Sequence, residues 1–452
     1  MDETLLHSWN ETVRADSRAT ALIDAATGQR WTRQEVDVSA TEWVHHFGAA
    51  LAGQTVAFAA ANGAEWMRVF LGLLKSDAAA VPLDPGEPIP AQRATASQIG
   101  AYAWWSAGEL HPLRPPGRRP RNGRRLIKLT SGSTGAPRPL WFTDAQLIAD
   151  GRQIITAMGL RPDDLNLGLI PWGHSYGLGN LVMPLLMQGT SILFGAAPLP
   201  HAIAKATIEF KPTVFPAVPA LLQALADAAI ARDELASLRT VISAGAPLAP
   251  AVAQAFIAKF GQRIHSFYGS SETGGITYDA TGDSAALGRG LGTPLPGVRL
   301  TFGRGGRFSV ASAAVYTIHN RRPGAHRMPD IGRLEVSGEL ILLGRAGRFL
   351  KIAGRRLNAA EVEHALRQIP GVRDAAVGPH PERADALAAV IATDISASII
   401  RDALRERLAS WKIPRKWIVL PNFPLTSRGK PDLRKVRELL ARGTRAEGPE
   451  SP

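Results

Sequence analysis

The sequence predicts an α/β protein: a large N-terminal domain with layered, mostly parallel sheets and helices, then a small C-terminal α+β domain. Short apolar segments such as residues 56–59 and 241–243 alternate with stretches of helical periodicity such as residues 62–75. This alternation is typical of parallel strands joined by crossover helices. The chain has 452 residues, of which 45% are hydrophobic, and is long enough for two or more domains.

The predicted elements of the N-terminal domain follow from apolar pattern and spacing. One helix is expected over residues 62–75, because its apolar residues recur every three or four positions. These residues are Trp66, Val69, Phe70, Leu73 and Leu74. The predicted strands are residues 21–24, 31–32, 56–59, 81–83, 191–194 and 241–243.

The sequence pattern changes after Gly344. Asn358 is expected to cap a helix with Glu361 at its third position, and Pro370 with Gly371 ends that helix. A strand, a second helix and a last strand are expected over residues 386–391, 399–408 and 417–420. The predicted domains are therefore a core of residues 1–344, a small lid domain of residues 345–440, and a charged, disordered tail of residues 441–452.

The composition narrows the function classes. The chain has no cysteine, which excludes disulfides, thiolate metal sites and a cysteine nucleophile. Its net charge of +13 favours anionic partners such as nucleotides, coenzyme A, an acidic carrier protein or nucleic acid. The densest basic run, from Arg114 to Lys128, contains no aromatic residue, so we interpret it as a solvated loop rather than a nucleic-acid site. Docking of an acidic partner is the alternative for this run.

Targeting signals are not evident. The first four residues, Met-Asp-Glu-Thr, include two acidic residues and lack the basic and then apolar pattern of a signal peptide. The apolar stretch of residues 218–230 is interrupted by Gln223 and Asp227, so no membrane span is expected. We predict a cytoplasmic protein.

The most informative segment is residues 129–138, which reads Leu-Thr-Ser-Gly-Ser-Thr-Gly-Ala-Pro-Arg. It follows an apolar run and is rich in hydroxyl groups and glycines, which let backbone N–H groups approach a ligand closely. This chemistry suits a polyphosphate. It is not a Walker A loop, because no Gly-Lys-Ser/Thr occurs in the chain. A flexible linker is the alternative interpretation.

This segment resembles the phosphate loop of the adenylate-forming (AMP-binding) superfamily, which includes acyl-CoA synthetases, peptide-synthetase adenylation domains and firefly luciferase. That loop usually ends in Lys-Gly, whereas this chain has Arg138-Pro139. The resemblance implies that the loop holds the phosphates of ATP. The residues so implied are Thr130, Ser131, Gly132, Ser133, Thr134, Gly135 and Arg138.

Further motifs follow in the order of the family. Residues 243–248 resemble the adenine-binding turn, which implies that Gly245, Ala246 and Pro247 form one wall of the purine site. Residues 268–274 resemble the Tyr-Gly-x-Thr-Glu motif with serine in place of threonine. By this resemblance Tyr268, Gly269 and Ser270 contact the nucleotide, Ser271 contacts the α-phosphate, and Glu272 binds Mg²⁺.

The resemblance also assigns residues around the domain junction. Asp330 stands where the family binds the ribose, although Met328-Pro329 replaces the usual Thr-Gly, and Arg345 matches an arginine that holds the nucleotide. Lys430 matches the catalytic lysine of adenylation, and Lys351 lies on the face used in the second half-reaction. Gly347 occupies the hinge position and is expected to be the pivot of the lid.

The acyl site is expected in residues 171–179. By resemblance His174 lies near the acyl carboxylate and the α-phosphate. Amino-acid-activating members of the family place an aspartate in this segment, and none occurs between Pro171 and Pro184, so the resemblance argues against an amino-acid substrate. The sequence His-Ser-Tyr-Gly-Leu resembles fatty-acid-activating members. We expect Tyr176, Gly177, Gly274 and Gly275 to line the acyl pocket, with the glycines leaving room for a long or flat tail.

The resemblance therefore implies an ATP-dependent, AMP-forming acid–thiol ligase. It would activate a carboxylic acid, which we expect to be fatty-acid-like, and pass it to coenzyme A or to the phosphopantetheine thiol of an acyl carrier protein. Three alternatives remain: an aryl- or hydroxy-acid adenylating enzyme, with or without the adenylate as its final product, a non-catalytic nucleotide-binding descendant, and a basic nucleic-acid binder.

Overall fold

The computed structural model describes residues 3–115, 123–131, 137–316, 324–345, 349–352, 355–381, 383, 386–426 and 431–442. The strands of these residues are β1 Thr20–Asp24, β2 Arg30–Thr32, β3 Thr55–Ala59, β4 Ala79–Pro82, β5 Ala103–Ser106, β6 Glu109–Pro112, β7 Arg124–Ser131, β8 Pro137–Thr143, β9 Leu165–Leu167, β10 Ser191–Phe194, β11 Val214–Ala217, β12 Thr240–Ser243, β13 Ile264–Ser270, β14 Gly274–Tyr278, β15 Thr293–Pro294, β16 Arg299–Phe302, β17 Arg307–Ala311, β18 Ala325–Leu334, β19 Leu340–Arg345, β20 Phe349–Ile352, β21 Arg355–Asn358, β22 Val372–Pro379, β23 Leu387–Thr393 and β24 Lys416–Leu420.

The helices of the same residues are α1 Leu5–Ala15, α2 Arg33–Phe47, α3 Ala64–Lys75, α4 Ile89–Gln98, α5 Asp144–Met158, α6 Ser175–Gly177, α7 Met183–Gln188, α8 Pro200–Phe210, α9 Pro219–Asp227, α10 Pro250–Phe260, α11 Ala359–Arg367, α12 Ala397–Arg405 and α13 Leu433–Arg442. The short helix α6 continues through a π-helical turn, Leu178–Val182, into α7. Across the described residues, no helix combines the length and the hydropathy that crossing a bilayer requires.

Two large sheets build the N-terminal part, and both are mainly parallel, as predicted. The described residues form one nine-stranded sheet in the order β15-β14-β13-β12-β11-β9-β10-β1-β2 and one six-stranded sheet in the order β6-β5-β3-β4-β7-β8. Antiparallel strands occur only at the edges of each. Helix α3 packs against β3 and β4, and Ala96 of α4 packs with Ala57 and Val81 of these strands. All residues of both strands are buried, and all but Thr55 are apolar.

The C-terminal part is a small α+β unit, as predicted. Strands β22, β23 and β24 form one sheet, and every residue of β23 is buried. Leu387, Ala389 and Ile391 pack with α11 and α12 on one face, while Ala388 and Val390 pack with α13 on the other. The sequence did not predict α13. It extends to Arg442, so the first two residues of the predicted tail are helical, and residues 443–452 lie outside the described residues.

One interpretation of the composition is wrong for part of the basic run. Lys128 and Arg125 lie in β7 rather than in a solvated loop, and Lys128 is only 4% exposed. Arg125 forms ion pairs with Asp77 and Asp144, at 2.9 Å and 3.0 Å. Both basic side chains belong to a strand with apolar neighbours, which carries them into the interior. Residues 116–122 of the run lie outside the described residues.

A close contact between α2 and α3 gives a stability prediction. A Cβ atom on Gly72 would lie 2.4 Å from Cε3 of Trp43, which is buried. We expect Gly72→Ala to lower the free energy of unfolding by about 1–3 kcal/mol, because overpacking outweighs the better helix propensity of alanine. Urea denaturation measures this. Gly303→Ala is the control, since its Cβ would meet only ordinary contacts; equal midpoints for both variants would contradict the prediction.

Candidate active site

The predicted adenine-binding residues lie at the carboxyl ends of parallel strands. Strands β12 and β13 are parallel neighbours, with Ser243 opposite Ser266. Gly245 and Tyr268 each follow two residues beyond this pair, so both lie at the same sheet edge. Gly245 has a φ of +87°, a conformation that suits glycine, and starts an exposed turn that continues into Ala246 and Pro247. Ligands of open α/β sheets bind at this edge.

Tyr268, Asp330 and Arg345 are brought together by three different strands. The Tyr268 hydroxyl donates a hydrogen bond of 2.6 Å to Oδ2 of Asp330, which is only 8% exposed. Asp330 in β18 stands opposite Arg345 in β19. The predicted ribose carboxylate is therefore next to the predicted adenine-stacking ring, across a sequence separation of 62 residues. The side chain of Arg345 lies outside the described residues.

The turn between β13 and β14 carries Glu272. Ser270 Oγ accepts from the Glu272 N–H at 3.2 Å and lies 3.0 Å from the Thr273 hydroxyl. The Glu272 carbonyl accepts from the N–H of Tyr316 at 3.0 Å. These bonds fix the backbone of the turn, in which Ser271 and Glu272 are half-buried. A Cβ on Gly269 would lie 2.6 Å from the Gly274 carbonyl oxygen, so the two ends of the turn approach too closely for a larger residue at that position.

The phosphate-loop segment spans the tip of the β7–β8 hairpin. Thr130 pairs with Arg138 in this hairpin, and its hydroxyl donates to the Arg138 carbonyl at 3.4 Å. The Arg138 guanidinium donates to the Tyr316 hydroxyl at 3.1 Å, which joins the exit of the loop to the residue that holds the Glu272 turn. The remaining predicted loop residues, namely Gly132, Ser133, Thr134 and Gly135, and the side chain of Ser131, lie outside the described residues.

Two buried charges beside this site were not predicted as site residues. Lys128 in β7 and Asp150 in α5 are each only 4% exposed. Burial lowers the pKa of Lys128, an effect that the Asp150 and Glu272 carboxylates oppose. Burial also raises the pKa of Asp150, against the attraction of Lys128 and the hydrogen bond from the Gly275 N–H. A lysine within an apolar strand and an aspartate on the apolar face of a helix are the signals that could have identified them.

His326 in β18 is a second residue that the sequence interpretation missed. Its ring lies 5.6 Å from that of Tyr316. Burial lowers the pKa of His326, the nearby Glu272 carboxylate opposes this shift, and the Arg138 guanidinium adds to it. His326 is therefore a neutral imidazole near neutral pH, at the side of the Glu272 turn. A lone histidine in a polar strand carries no sequence signal for such a position.

The segment with His174 forms a tight turn over the carboxyl ends of β11 and β12. The His174 carbonyl accepts from the Leu178 N–H at 2.8 Å, and the half-buried His174 caps α6. The Tyr176 hydroxyl donates to the carbonyls of Ala217 and Ile242, at 3.2 Å and 3.4 Å. The Tyr176 ring stacks on Phe267, with centroids 6.0 Å apart. Tyr176 thus closes one side of the space beside the adenine-site strands.

Close packing requires glycine at three of the predicted pocket positions. A Cβ on Gly177 would lie 2.1 Å from the Pro171 carbonyl oxygen, and one on Gly274 would lie 2.2 Å from Oδ1 of Asp150. A Cβ on Gly275 would lie 2.7 Å from Cδ2 of Leu295. Neighbouring groups therefore fill the direction that a Cβ would take at each position. That His174, Tyr176 and these three glycines line an acyl pocket stays a prediction.

Most of the lid assignments are not described by the structure. Lys351 belongs to β20, which pairs with β21, but its side chain lies outside the described residues. Gly347 and Lys430 also lie outside them. Their predicted roles stay predictions.

The described donor set fits a magnesium nucleotide. Tyr268 and Asp330 offer a flat ring and a carboxylate, and the buried Lys128 lies within electrostatic range of Glu272. The Arg138 guanidinium is joined to the Glu272 turn through Tyr316 and is suited to an anionic ligand. Within the described ranges, no group of three or more His, Asp or Glu side chains could hold a metal ion. That Glu272 binds Mg²⁺ stays a prediction; one carboxylate together with substrate phosphates is how this ion is usually held.

Comparison with known proteins identifies related sequences. The model of the AMP-binding enzyme family matches residues 105–301, and that of the AMP-binding enzyme C-terminal domain matches residues 361–430. The chain is 29% identical over 420 residues to a probable non-canonical nonribosomal peptide synthetase, CymA, of Salinispora arenicola, covering 84% of this chain and 5% of that protein. It is 28% identical over 347 residues to a salicylyl-CoA synthase / salicylate adenylyltransferase of a Streptomyces species, covering 70% of this chain and 63% of that protein. The chain thus spans less than two thirds of the length of these two relatives.

Solved structures share the fold over almost the whole chain. The anthranilate CoA ligase AuaEII in complex with anthranoyl-AMP is 20% identical, with a TM-score of 0.83 and 97% of each chain covered. ATP-bound MatB from Rhodopseudomonas palustris is 21% identical, with a TM-score of 0.81, covering 98% of this chain and 99% of that chain. At this identity the likeness shows the fold, a large N-terminal part with a small C-terminal part.

Proposed function

The chain belongs to the AMP-binding enzyme family, and from that premise we propose that it is an AMP-forming acid–thiol ligase. A carboxylate oxygen of the acid attacks the α-phosphorus of ATP, the bond to the bridging oxygen breaks, and pyrophosphate leaves. A thiol then attacks the acyl carbon, AMP leaves, and the thiol proton passes to solvent. The observation that carries the proposal is the Tyr268–Asp330 contact at the sheet edge that also holds Gly245, next to the Glu272 turn.

Each group at the site has a chemical role in the first half-reaction. Tyr268 stacks on the adenine, Asp330 accepts hydrogen bonds from the ribose hydroxyls, and Arg138 attracts the phosphates electrostatically. Glu272 would hold Mg²⁺, which neutralises phosphate charge when bound. Lys430 offsets the repulsion between the carboxylate and the triphosphate, and Lys351 acts in the transfer step.

The shape of the acyl side favours an aryl acid over a long alkyl chain. The direction that a Cβ would take at Gly274 and at Gly275 is filled, and the half-buried Tyr176 ring, which stacks on Phe267, would offer a flat wall to the acyl group. Relatives with the names salicylyl-CoA synthase and feruloyl-CoA synthase support this choice. The second candidate substrate is a fatty acid, which the sequence around His174 suggests. The third candidate is an aryl acid whose adenylate is the final product.

The test is ATP–pyrophosphate exchange with the purified chain against a panel of aryl, hydroxy and fatty acids. We expect exchange with aryl acids at least tenfold faster than with fatty acids of eight or more carbons (about 1.4 kcal/mol). Exchange with fatty acids alone would overturn the aryl assignment. The absence of exchange with every acid, together with no binding of ATP, would favour a non-catalytic descendant and contradict the proposed function.

The thiol acceptor is tested separately. Peptide-synthetase relatives suggest a carrier-protein thiol, whereas the CoA-ligase relatives suggest coenzyme A. Steady-state AMP release with the accepted acid, measured with coenzyme A and with a phosphopantetheinylated carrier protein, distinguishes the two. A rate that neither thiol increases would indicate that the adenylate is the final product.

A further inference from the structure

We propose that Lys128 and Asp150, two buried opposite charges, are positioning residues that set the turn carrying Glu272 for binding of the metal–nucleotide. The proposal rests on the proposed function, because it takes Glu272 as the group that binds the metal. Neither residue is required to touch the nucleotide. They are inferred to act through the backbone of the turn and through the electric field at the Glu272 carboxylate.

Asp150 holds the C-terminal side of the turn directly. Its Oδ1 accepts from the Gly275 N–H at 2.8 Å, a contact between residues 125 positions apart in the chain. The carboxylate can approach because the adjacent Gly274 has no side chain. A Cβ there would lie 2.2 Å from Oδ1, and the φ of +71° is itself a conformation that favours glycine.

Lys128 supplies the positive charge beside this contact. Its ammonium lies 4.3 Å from the centre of the Phe142 ring, and both Asp150 and Glu272 act on it electrostatically. A buried carboxylate with no cation nearby is costly, so Lys128 favours the ionised form of Asp150 that accepts the Gly275 hydrogen bond. Because Lys128 is also within range of Glu272, one cation serves both carboxylates.

A different residue, Tyr316, holds the backbone of Glu272 itself. Tyr316 donates its N–H to the Glu272 carbonyl at 3.0 Å, and its ring lies 6.4 Å from that of Phe142. Phe142 therefore contacts both the Lys128 ammonium and the Tyr316 ring. Arg138, which follows the phosphate-loop segment, donates a hydrogen bond to the Tyr316 hydroxyl. Arg138, Tyr316 and Phe142 therefore connect that segment with the Glu272 turn and with Lys128.

A role in positioning explains why charges occupy this place. Apolar residues of similar volume are usually as stabilising as a buried pair of charges, or more so. Charges do what apolar residues cannot: they hold a backbone N–H by a strong hydrogen bond and set the potential at a neighbouring carboxylate. Groups of this kind around a metal ligand commonly change metal affinity by about 10- to 100-fold when they are removed.

The experiment measures ATP binding by calorimetry, without acid, over a series of Mg²⁺ concentrations. Asp150→Asn and Lys128→Met are compared with the wild-type chain and with the double variant. We expect each single change to raise the Mg²⁺ concentration for half-maximal ATP binding by about 10-fold or more. We also expect the double variant to lose less than the product of the two single losses, because it leaves no unpaired charge.

The matched control removes a buried carboxylate that is not in this cluster. Asp164 is also 4% exposed and pairs with Arg239 at 2.6 Å. Asp164→Asn is expected to lower the unfolding midpoint and to leave the Mg²⁺ dependence unchanged. If Asp150→Asn and Lys128→Met behave in the same way, their role is structural and the proposal is overturned.

Two further outcomes are informative. If circular dichroism shows that a single variant does not fold, the Mg²⁺ dependence of ATP binding is measured with the double variant and with Asp150→Glu instead. A wild-type Mg²⁺ dependence in both would overturn the proposal. The proposed function fails in a different way: the wild-type chain itself would then bind no ATP at any Mg²⁺ concentration.

Discussion

Replacing Lys430 with alanine is expected to slow acid-dependent ATP–pyrophosphate exchange by about 100- to 1000-fold. The carboxylate and the triphosphate are both anionic, and charge grows on the α-phosphoryl oxygens as the new bond forms. An ammonium positioned at that point stabilises the transition state more than the ground state, and removing one such donor costs about 3–4 kcal/mol. Leu425 and Pro431, which bracket the segment that contains Lys430, form an antiparallel bridge shortly before α13.

The control for this change is Lys435→Ala, which removes an exposed lysine from the nearby helix α13. Exchange by this variant should equal that of the wild-type chain, and circular dichroism should be unchanged for both. Binding of ATP should fall far less than the exchange rate in Lys430→Ala, because the lysine acts mainly in the transition state. Exchange that is equal in both variants would show that another cation performs the first step.

The parallel sheets were predictable because their strands carry a local signal. Strands β3, β10 and β12 each contain consecutive apolar residues, and the predicted segments fall within one residue of the observed strands. No such signal marks α13, because five of its ten residues are charged, as is typical of a solvated tail. Its apolar residues Val436 and Leu440 are buried only because the face of the β22–β24 sheet is there to receive them.

The site was predictable where a motif fixes backbone geometry and not where distant side chains fill space. Gly245 and Tyr268 fall at one sheet edge, as the motif order implied. The place that a Cβ of Gly274 would take is occupied by Asp150, which comes from α5. In the sequence, Lys128 belongs to a run of basic residues. Its burial follows only from its place in β7 and from its contact with the Phe142 ring. These contacts join residues more than 100 positions apart or depend on strand pairing, so no local pattern encodes them.

Asp330→Ala is expected to raise the KM for ATP by about 10- to 100-fold. Its carboxylate is held in place by the Tyr268 hydroxyl at 2.6 Å and is buried to 8% exposure, so it is ready to accept the ribose hydroxyls without rearrangement. Hydrogen bonds to a charged group contribute about 1.5–3 kcal/mol each. The kcat for exchange should change less, because the ribose contacts are alike in the ground state and the transition state.

A second variant separates the contribution of the Tyr268 hydroxyl to ATP binding from that of the Asp330 carboxylate. Tyr268→Phe keeps the stacking face and removes only the hydroxyl that holds Asp330, so the expected rise in KM is smaller than tenfold. Glu335→Ala, at the far end of the same β18–β19 hairpin, removes a half-buried carboxylate paired with Arg333 and should leave KM unchanged. A KM for ATP in Asp330→Ala equal to that of Glu335→Ala would place the ribose elsewhere. It would also remove the observation that carries the proposed function, because the Tyr268–Asp330 contact would then be purely structural.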